Sequence, residues 1–151
     1  MTRSSDLAFT RENLLSATEK LLAKRELRPD AKAFESFLEQ YRADAFIEDF
    51  LVLTVDDAAS LAIDLWDFNR ETESFTNRVI RTRRATGAGG RALRLDLAEI
   101  AGPDIAFLVD SAIGACHEAK VEIRAVLHPI VTSPKGKRST IQIHLPALND
   151  A

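Results

Sequence analysis

The residues with the greatest chemical reach in this sequence are arginines. Arg78, Arg81, Arg83, Arg84, Arg91 and Arg94 surround the run Thr86-Gly87-Ala88-Gly89-Gly90, and planar guanidinium forks match carboxylates and phosphates. Arg81, Arg83, Arg84 and Arg91 make up a candidate anion patch. Nucleic acid is the less favoured partner, because no aromatic residues interleave with the arginines to stack bases. A solvated face that protects a strand edge is the favoured reading of these arginines, and anion binding is the better of the functional ones. The glycine run invites a phosphate-loop reading, but such a loop follows a strand and opens a helix, so that backbone N–H groups and the helix dipole meet the phosphate. Here the run lies between two strand-like segments and matches neither GxGxxG nor GxxxxGKS. It reads as a hairpin turn.

Nucleophiles and metal ligands are sparse. The histidines are His117, His128 and His144. His117 points outward from a helix, and His128 and His144 fall on the polar faces of strands that could be neighbours. A zinc site needs a third and usually a fourth ligand, and none is spaced for it, so no metal is expected. Cys116 sits on an apolar helical stripe, where a thiol is inert packing. Ser111 follows Asp110, but there is no GxSxG elbow and no histidine with a nucleophile beside it. The acidic pairs Asp56-Asp57 and Glu48-Asp49 read as helix-start and solvated charges. No catalytic residue is expected.

The composition fits a folded domain that positions binding residues. The 151 residues are 46% hydrophobic and 28% charged, with a net charge of -3, which excludes disorder and gives no global attraction to polyanions. A lone cysteine suits a reducing compartment. Met1-Thr2-Arg3-Ser4-Ser5-Asp6 lacks the apolar core of a signal peptide, and no apolar run nears the roughly 18 residues needed to span a bilayer. The expectation is a cytoplasmic protein with no membrane partner.

The elements divide into a helical front and a strand-rich back. Leu14, Leu15, Leu21 and Leu22 mark a helix over about 10–24, and Arg28-Pro29-Asp30 interrupts it. Phe34, Phe37, Leu38 and Tyr41 stripe a second helix, which could run on through Phe46, Ile47 and Phe50. Thr54-Val55-Asp56-Asp57 carries an N-cap hydroxyl with a carboxylate three residues on. It opens a third helix with Leu61, Ala62, Leu65, Trp66 and Asn69 on one stripe. The Trp anchors that helix on the rest of the domain.

Val79-Ile80 lies in the arginine run. Leu93, Leu95 and Leu97 then alternate with Arg94, Asp96 and Ala98 as a one-sided strand. Gly102-Pro103-Asp104 ends it and caps a helix whose Ile105, Leu108, Val109, Ala112, Cys116 and Ala119 face the core. Val121, Ile123, Ala125 and Leu127 read as a second strand. Ser133-Pro134-Lys135-Gly136-Lys137 is a hairpin turn into Ile141, Ile143 and Leu145. The back half is thus β-α-β-β, most of a ferredoxin-like unit without its second helix and fourth strand. The fold expected is α+β, with N-terminal helices (1–72) packed on an incomplete antiparallel sheet (73–151) that is truncated at its C-terminus. The apolar face and strand edge left open would be covered by those helices or pair with a second chain.

One stretch is more specific. Gly102-Pro103-Asp104-Ile105-Ala106-Phe107-Leu108-Val109-Asp110-Ser111, followed by Val126-Leu127-His128-Pro129-Ile130-Val131, resembles the N-terminal region of the very large bacterial NAD-dependent glutamate dehydrogenases. In that family a strand ends in an acidic turn and a Pro-Phe-Leu-Val-Asp-Ser helix start, and a His-Pro strand follows one helix later. The resemblance covers about 93–145 and reaches weakly back to the Trp66 helix. This chain departs from the family pattern at Ala106, where the family tends to have Pro, and at Gly102-Pro103, where it is usually polar.

What the resemblance implies is an ACT-like module, which binds amino acids or mediates assembly in metabolic enzymes. It makes the strand-to-helix loop of Gly102, Pro103, Asp104, Ile105, Ala106 and Phe107 the candidate effector site. Gly102 allows close approach there, the helix N-terminus offers N–H groups, and Asp104 favours an ammonium. The implied role is a non-catalytic regulatory, amino-acid-sensing domain. NAD and the active-site lysine belong to a catalytic domain far downstream, so no cofactor is expected in this chain. Its partners would be the rest of the same polypeptide and a homo-oligomer. A pure assembly domain without a small-molecule ligand is the alternative.

Overall fold

In a computed structural model, residues 10–23, 31–44, 53–73, 78–133 and 136–147 are described. The Arg28-Pro29-Asp30 break, the Phe46, Ile47 and Phe50 continuation, the Glu48-Asp49 pair and the Pro134-Lys135 part of the hairpin turn lie outside the described residues.

Three helices come first: α1 (Arg11–Leu22), α2 (Ala31–Asp44) and α3 (Val55–Glu71). Thr10 caps α1 by accepting the Asn13 N–H at 3.1 Å, and Thr54 caps α3 by accepting that of Asp57 at 3.1 Å, each satisfying a donor with no partner inside the helix. The apolar stripes bury as their spacing predicts: Leu14 and Leu22 on α1, Phe34, Phe37, Leu38 and Tyr41 on α2, and Leu61, Ala62, Leu65 and Trp66 on α3. Trp66 is the anchor. Phe34 and Phe37 meet its ring edge-on, with centroids 5.3 and 5.1 Å away, a favoured aromatic geometry.

The sheet is built from β1 (Val79–Thr86), β2 (Ala92–Pro103), β3 (Ala125–Leu127), β4 (Ile130–Ser133) and β5 (Gly136–Pro146), with α4 (Leu108–Glu118) between β2 and β3. The strand order is β1-β2-β5-β3, with β4 also paired to β5, and every pairing is antiparallel. The β3–β4 interruption falls at His128-Pro129, where proline has no N–H for the ladder. There the Pro129 carbonyl accepts from the Thr140 hydroxyl at 2.6 Å.

β2, α4, β3/β4 and β5 form the expected βαββ unit, an ACT-like α+β arrangement. In a ferredoxin-like βαββαβ unit the fourth strand lies beside the first, and here β1 occupies that place, from the N-terminal side. The β2 edge is therefore covered, contrary to the open edge expected from strand order. α3 does not stand in for the second helix of that unit: it packs on the opposite face of the sheet from α4.

The sheet is consequently covered on both faces. Leu93, Leu95, Leu97 and Ala101 join the core of α1, α2 and α3. Ile100, Ile141, Ile143 and Leu145 pack with Leu108, and with the partly buried Val109, Ala112 and Cys116 of α4. Ile105 and Ala119, expected to face that core, are exposed, because the helix starts only at Leu108 and ends at Glu118, with Ala119 as its C-cap.

The strand expected from Val121 onward begins at Ala125. Lys120 adopts a left-handed φ of 59°, with its N–H on the His117 carbonyl at 3.0 Å and the Val121 N–H on that of Cys116 at 2.9 Å. This is a Schellman cap. It holds the chain against the helix end, so Val121 and Ile123 pack with the α4 cluster and do not join the ladder.

Candidate functional site

The loop between β2 and α4 carries the candidate effector residues, and the structure keeps them together. Gly102 is buried, and a Cβ there would stand 2.9 Å from the Arg78 Cα, so only glycine lets the two segments pass. Pro103 closes β2 opposite Arg138. The Asp104 N–H donates to the Lys137 carbonyl at 3.1 Å. The buried Ser139 hydroxyl donates to Asp104 Oδ1 at 2.6 Å and lies 3.2 Å from His128 Nε2. Serine is the central member of this chain of contacts, so no acid orients a base toward a nucleophile. The arrangement pins the loop to β5.

Ile105 and Phe107 are 45% and 76% exposed. Phe107 takes the N-cap position of α4 with φ 64° and ψ 12°, and its side chain makes no capping bond. The first N–H groups of α4 thus have no side-chain cap, and Asp104, four residues before Leu108 in the chain, accepts from Ser139 through Oδ1.

The arginines are not brought together as one basic surface. Arg81 Nε and Arg83 Nε each meet Glu99 Oε1 at 2.8 Å, and Arg83 Nη2 meets Asp64 Oδ2 at 3.2 Å. Arg84 lies on the other face of the sheet, on Asp96 at 2.7 Å. Arg91, past the turn, is held by Asp57 at 2.6 Å. All four candidate anion-binding arginines therefore carry a carboxylate partner. Asp57, expected as a helix-start charge, is buried and also accepts the Ala88 N–H at 3.1 Å. Gly87 lies so close that an added Cβ would overlap the Asp57 carboxylate, so this turn is packed against α3. Burial pushes the Asp57 carboxyl up, but the Arg91 guanidinium and the Ala88 N–H outweigh it and hold the group below its ordinary range.

Sequence reasoning missed the network beneath these arginines. Glu99 is fully buried. Its Oε2 accepts from Gln142 Nε2 at 2.8 Å, and Gln142 Nε2 also reaches the Leu61 carbonyl at 3.1 Å. Gln142 Oε1 accepts the Tyr41 hydroxyl at 2.5 Å and lies 2.8 Å from His144 Nε2, which places the His144 proton on Nε2. Arg81 also stacks over the Phe68 ring, 4.2 Å from its centroid. Burial alone would raise the Glu99 carboxyl, but Arg83, Gln142 and Arg81 together keep it lowered. Burial pushes the Tyr41 hydroxyl well above its ordinary range and the Asp64 carboxyl upward. It takes His144 down to about 4.

His128 and His144 are not the paired polar-face residues that alternation suggests. His144 is buried under the helices, while His128 is half-buried at the loop. The signal that could have found the network is the continuation of the Leu93-Leu95-Leu97 register. It puts Glu99 on the core face, opposite Arg81 and Arg83 spaced two apart on β1. Among the described residues, no three His, Cys, Asp or Glu side chains are grouped to hold a metal. No helix among them is long and apolar enough to cross a membrane.

A split βαβ, with β5 antiparallel between β2 and β3, β1 beside β2, and the strand-to-helix loop exposed at one end, defines an ACT-like domain. The profile of the glutamate dehydrogenase ACT1 domain family matches residues 37–148. That span runs from α2 through β5, and the chain belongs to this family. No curated protein and no solved structure matches the chain.

Proposed function

We propose that this chain is a non-catalytic regulatory module of an NAD-dependent glutamate dehydrogenase, and that it senses an amino acid at the loop Gly102 to Phe107. The observation that carries this reading is that one exposed loop holds both the uncapped start of α4 and Asp104. Uncapped N–H groups of α4 would receive the effector carboxylate, and Asp104 would receive its ammonium. NAD and the chemistry of glutamate oxidation would belong to another part of the enzyme.

A second reading is an assembly domain, in a homo-oligomer or against the rest of its own polypeptide. It is favoured by α4, of which only Leu108 is fully buried, and by Ile80, Ile105 and Phe107 standing exposed.

Thermal unfolding against a panel of amino acids, with NAD as control, separates the two. A ligand that binds only the folded chain adds about 2.7 kcal/mol at a hundredfold excess over its dissociation constant. A rise in midpoint with one or two amino acids, lost in Asp104→Ala, supports sensing. A flat response together with a concentration-dependent dimer supports assembly and overturns sensing.

A further inference from the structure

The sheet has two edges, and they are finished differently. At one edge β3 and β4 are short and are separated at Pro129. There the side-chain amide of Gln40 on α2 takes both outward groups of Ile130. Its Nε2 donates to the Ile130 carbonyl at 3.0 Å, and its Oε1 accepts the Ile130 N–H at 3.0 Å. A further strand is blocked at that point. At the other edge β1 runs regularly from Val79 to Arg84 before a register shift, and among the described residues no strand lies beyond it.

The ladder register shows which groups of β1 point outward. The Asp104 N–H donates to the Lys137 carbonyl at 3.1 Å, in the same register that pairs β2 with β5. Residues of an antiparallel strand bond alternately to one neighbour and to the other, so even-numbered residues of β2 bond to β5 and odd-numbered ones to β1. Ala101, Glu99 and Leu97 lie opposite Val79, Arg81 and Arg83, which leaves the N–H and C=O of Ile80 and Thr82 turned away from the sheet. Among the described residues no side chain or loop takes them. Charged side chains commonly guard such an edge, yet the three arginines of β1 lean inward. Arg81 and Arg83 rest on Glu99, Arg83 also on Asp64, and Arg84 on Asp96. Three cations thus meet three carboxylates, and Ile80 is left 66% exposed on the edge.

We infer that the outer edge of β1 binds a second copy of this chain, β1 against β1 and antiparallel across a two-fold axis, so that the two sheets become one. Self-pairing satisfies the outward groups of Ile80 and Thr82 in both copies and sets these β-branched side chains beside each other, a favourable cross-strand contact. Like-charge repulsion would oppose pairing an arginine-rich strand with itself, but each guanidinium of β1 already rests on a carboxylate of its own copy. A strand of a different protein would be selected by charge complementary to this edge, and β1 carries no unmatched charge. This isologous contact holds whether or not the loop at 102–107 binds an amino acid, and it needs nothing from Phe107.

The test is sedimentation of the whole chain over a concentration series. A reversible dimer in the micromolar range is expected, because one strand pair buries a small interface. Thr82→Pro removes an outward N–H and no bond to β2, and Ile80→Lys places an unmatched charge on the edge. Each weakens the dimer by about tenfold or more, since each change is made in both copies, while circular dichroism shows the monomer still folded. Ile80→Lys changes an exposed side chain alone, so the test stands even where the proline variant does not fold. Phe107→Ser, on the exposed loop, leaves the dimer intact. A chain that stays monomeric at millimolar concentration, or a dimer that survives Ile80→Lys and a folded Thr82→Pro, overturns the inference. So does loss of the dimer in Phe107→Ser alone, which would put self-association at the α4 face and leave the assembly reading standing.

Discussion

The two faces of the sheet are held by different physics. Against α1, α2 and α3 the sheet presents Leu93, Leu95, Leu97 and Ala101 around a fully buried Glu99, whose charge is matched by two arginines and a glutamine. Against α4 it packs aliphatic side chains, and of the helix only Leu108 is fully buried. Breaking a buried, hydrogen-bonded ion pair leaves charge stranded in low dielectric, whereas trimming a half-exposed apolar contact removes only a little buried area. The helical face is therefore the rigid scaffold. The α4 face, with its exposed loop, is where local opening should cost least.

Substitutions sharpen this contrast. Glu99→Ala takes the shared carboxylate from Arg81 and Arg83, leaves Arg83 with Asp64 alone and removes an acceptor from Gln142, and should cost about 3 kcal/mol in urea unfolding. A loss below about 1 kcal/mol would mean that the arginines rehydrate freely and that the network stabilises little.

Acid should act through the same face. His144 is pushed down to about 4 by burial, so from its ordinary value of about 6.5 downward the unfolded chain takes up a proton that the folded chain refuses. Stability should fall as pH drops through that window, by about 3 kcal/mol at its lower end. The lowered Glu99 carboxyl adds to the loss below its ordinary carboxylate range, because its contribution is present above the unfolded value and disappears as the folded group protonates. His144→Gln should flatten the upper part of the profile, as measured by chemical unfolding at stepped pH.

Thr54→Ala removes the α3 cap and should cost about 1 kcal/mol, read as a lower midpoint with an unchanged denaturant slope. On the other face, Phe107→Ser should alter stability by no more than about 0.5 kcal/mol. A large loss there would show that α4 is anchored through its exposed start and that the two faces are equally rigid.

The helical half of the fold was legible because each helix buries one stripe. Phe34, Phe37 and Tyr41 recur at the spacing that periodicity detects, and Thr54 caps where a hydroxyl precedes two carboxylates. The strands were read less well because β5 is buried on both faces. Alternation assigned Ile141, Ile143 and Leu145 to the core and His144 to solvent, yet Gln142 and His144 are as buried as their neighbours. Strand order in space was also hidden, since β1 fills a place that chain order gives to a later strand. At the candidate site the loop could be located from its Gly-Pro-Asp turn and the resemblance around it. The arginines were visible as a cluster in sequence, but alternation along β1 sends Arg83 and Arg84 to opposite faces, and their carboxylate partners lie elsewhere in the chain. Long-range pairing of Arg83 with Asp64 and Glu99 leaves no local signature in a sequence.

The most direct test of a rigid helical face and a responsive α4 face is amide hydrogen exchange of the chain with and without the amino acid that raises its melting point most. The account predicts that β2 and β5 amides exchange only through global unfolding, and that α4 amides open at lower free energy. The ligand should slow exchange chiefly over 104–112. Uniform protection across both faces, with no ligand effect at that segment, would contradict it.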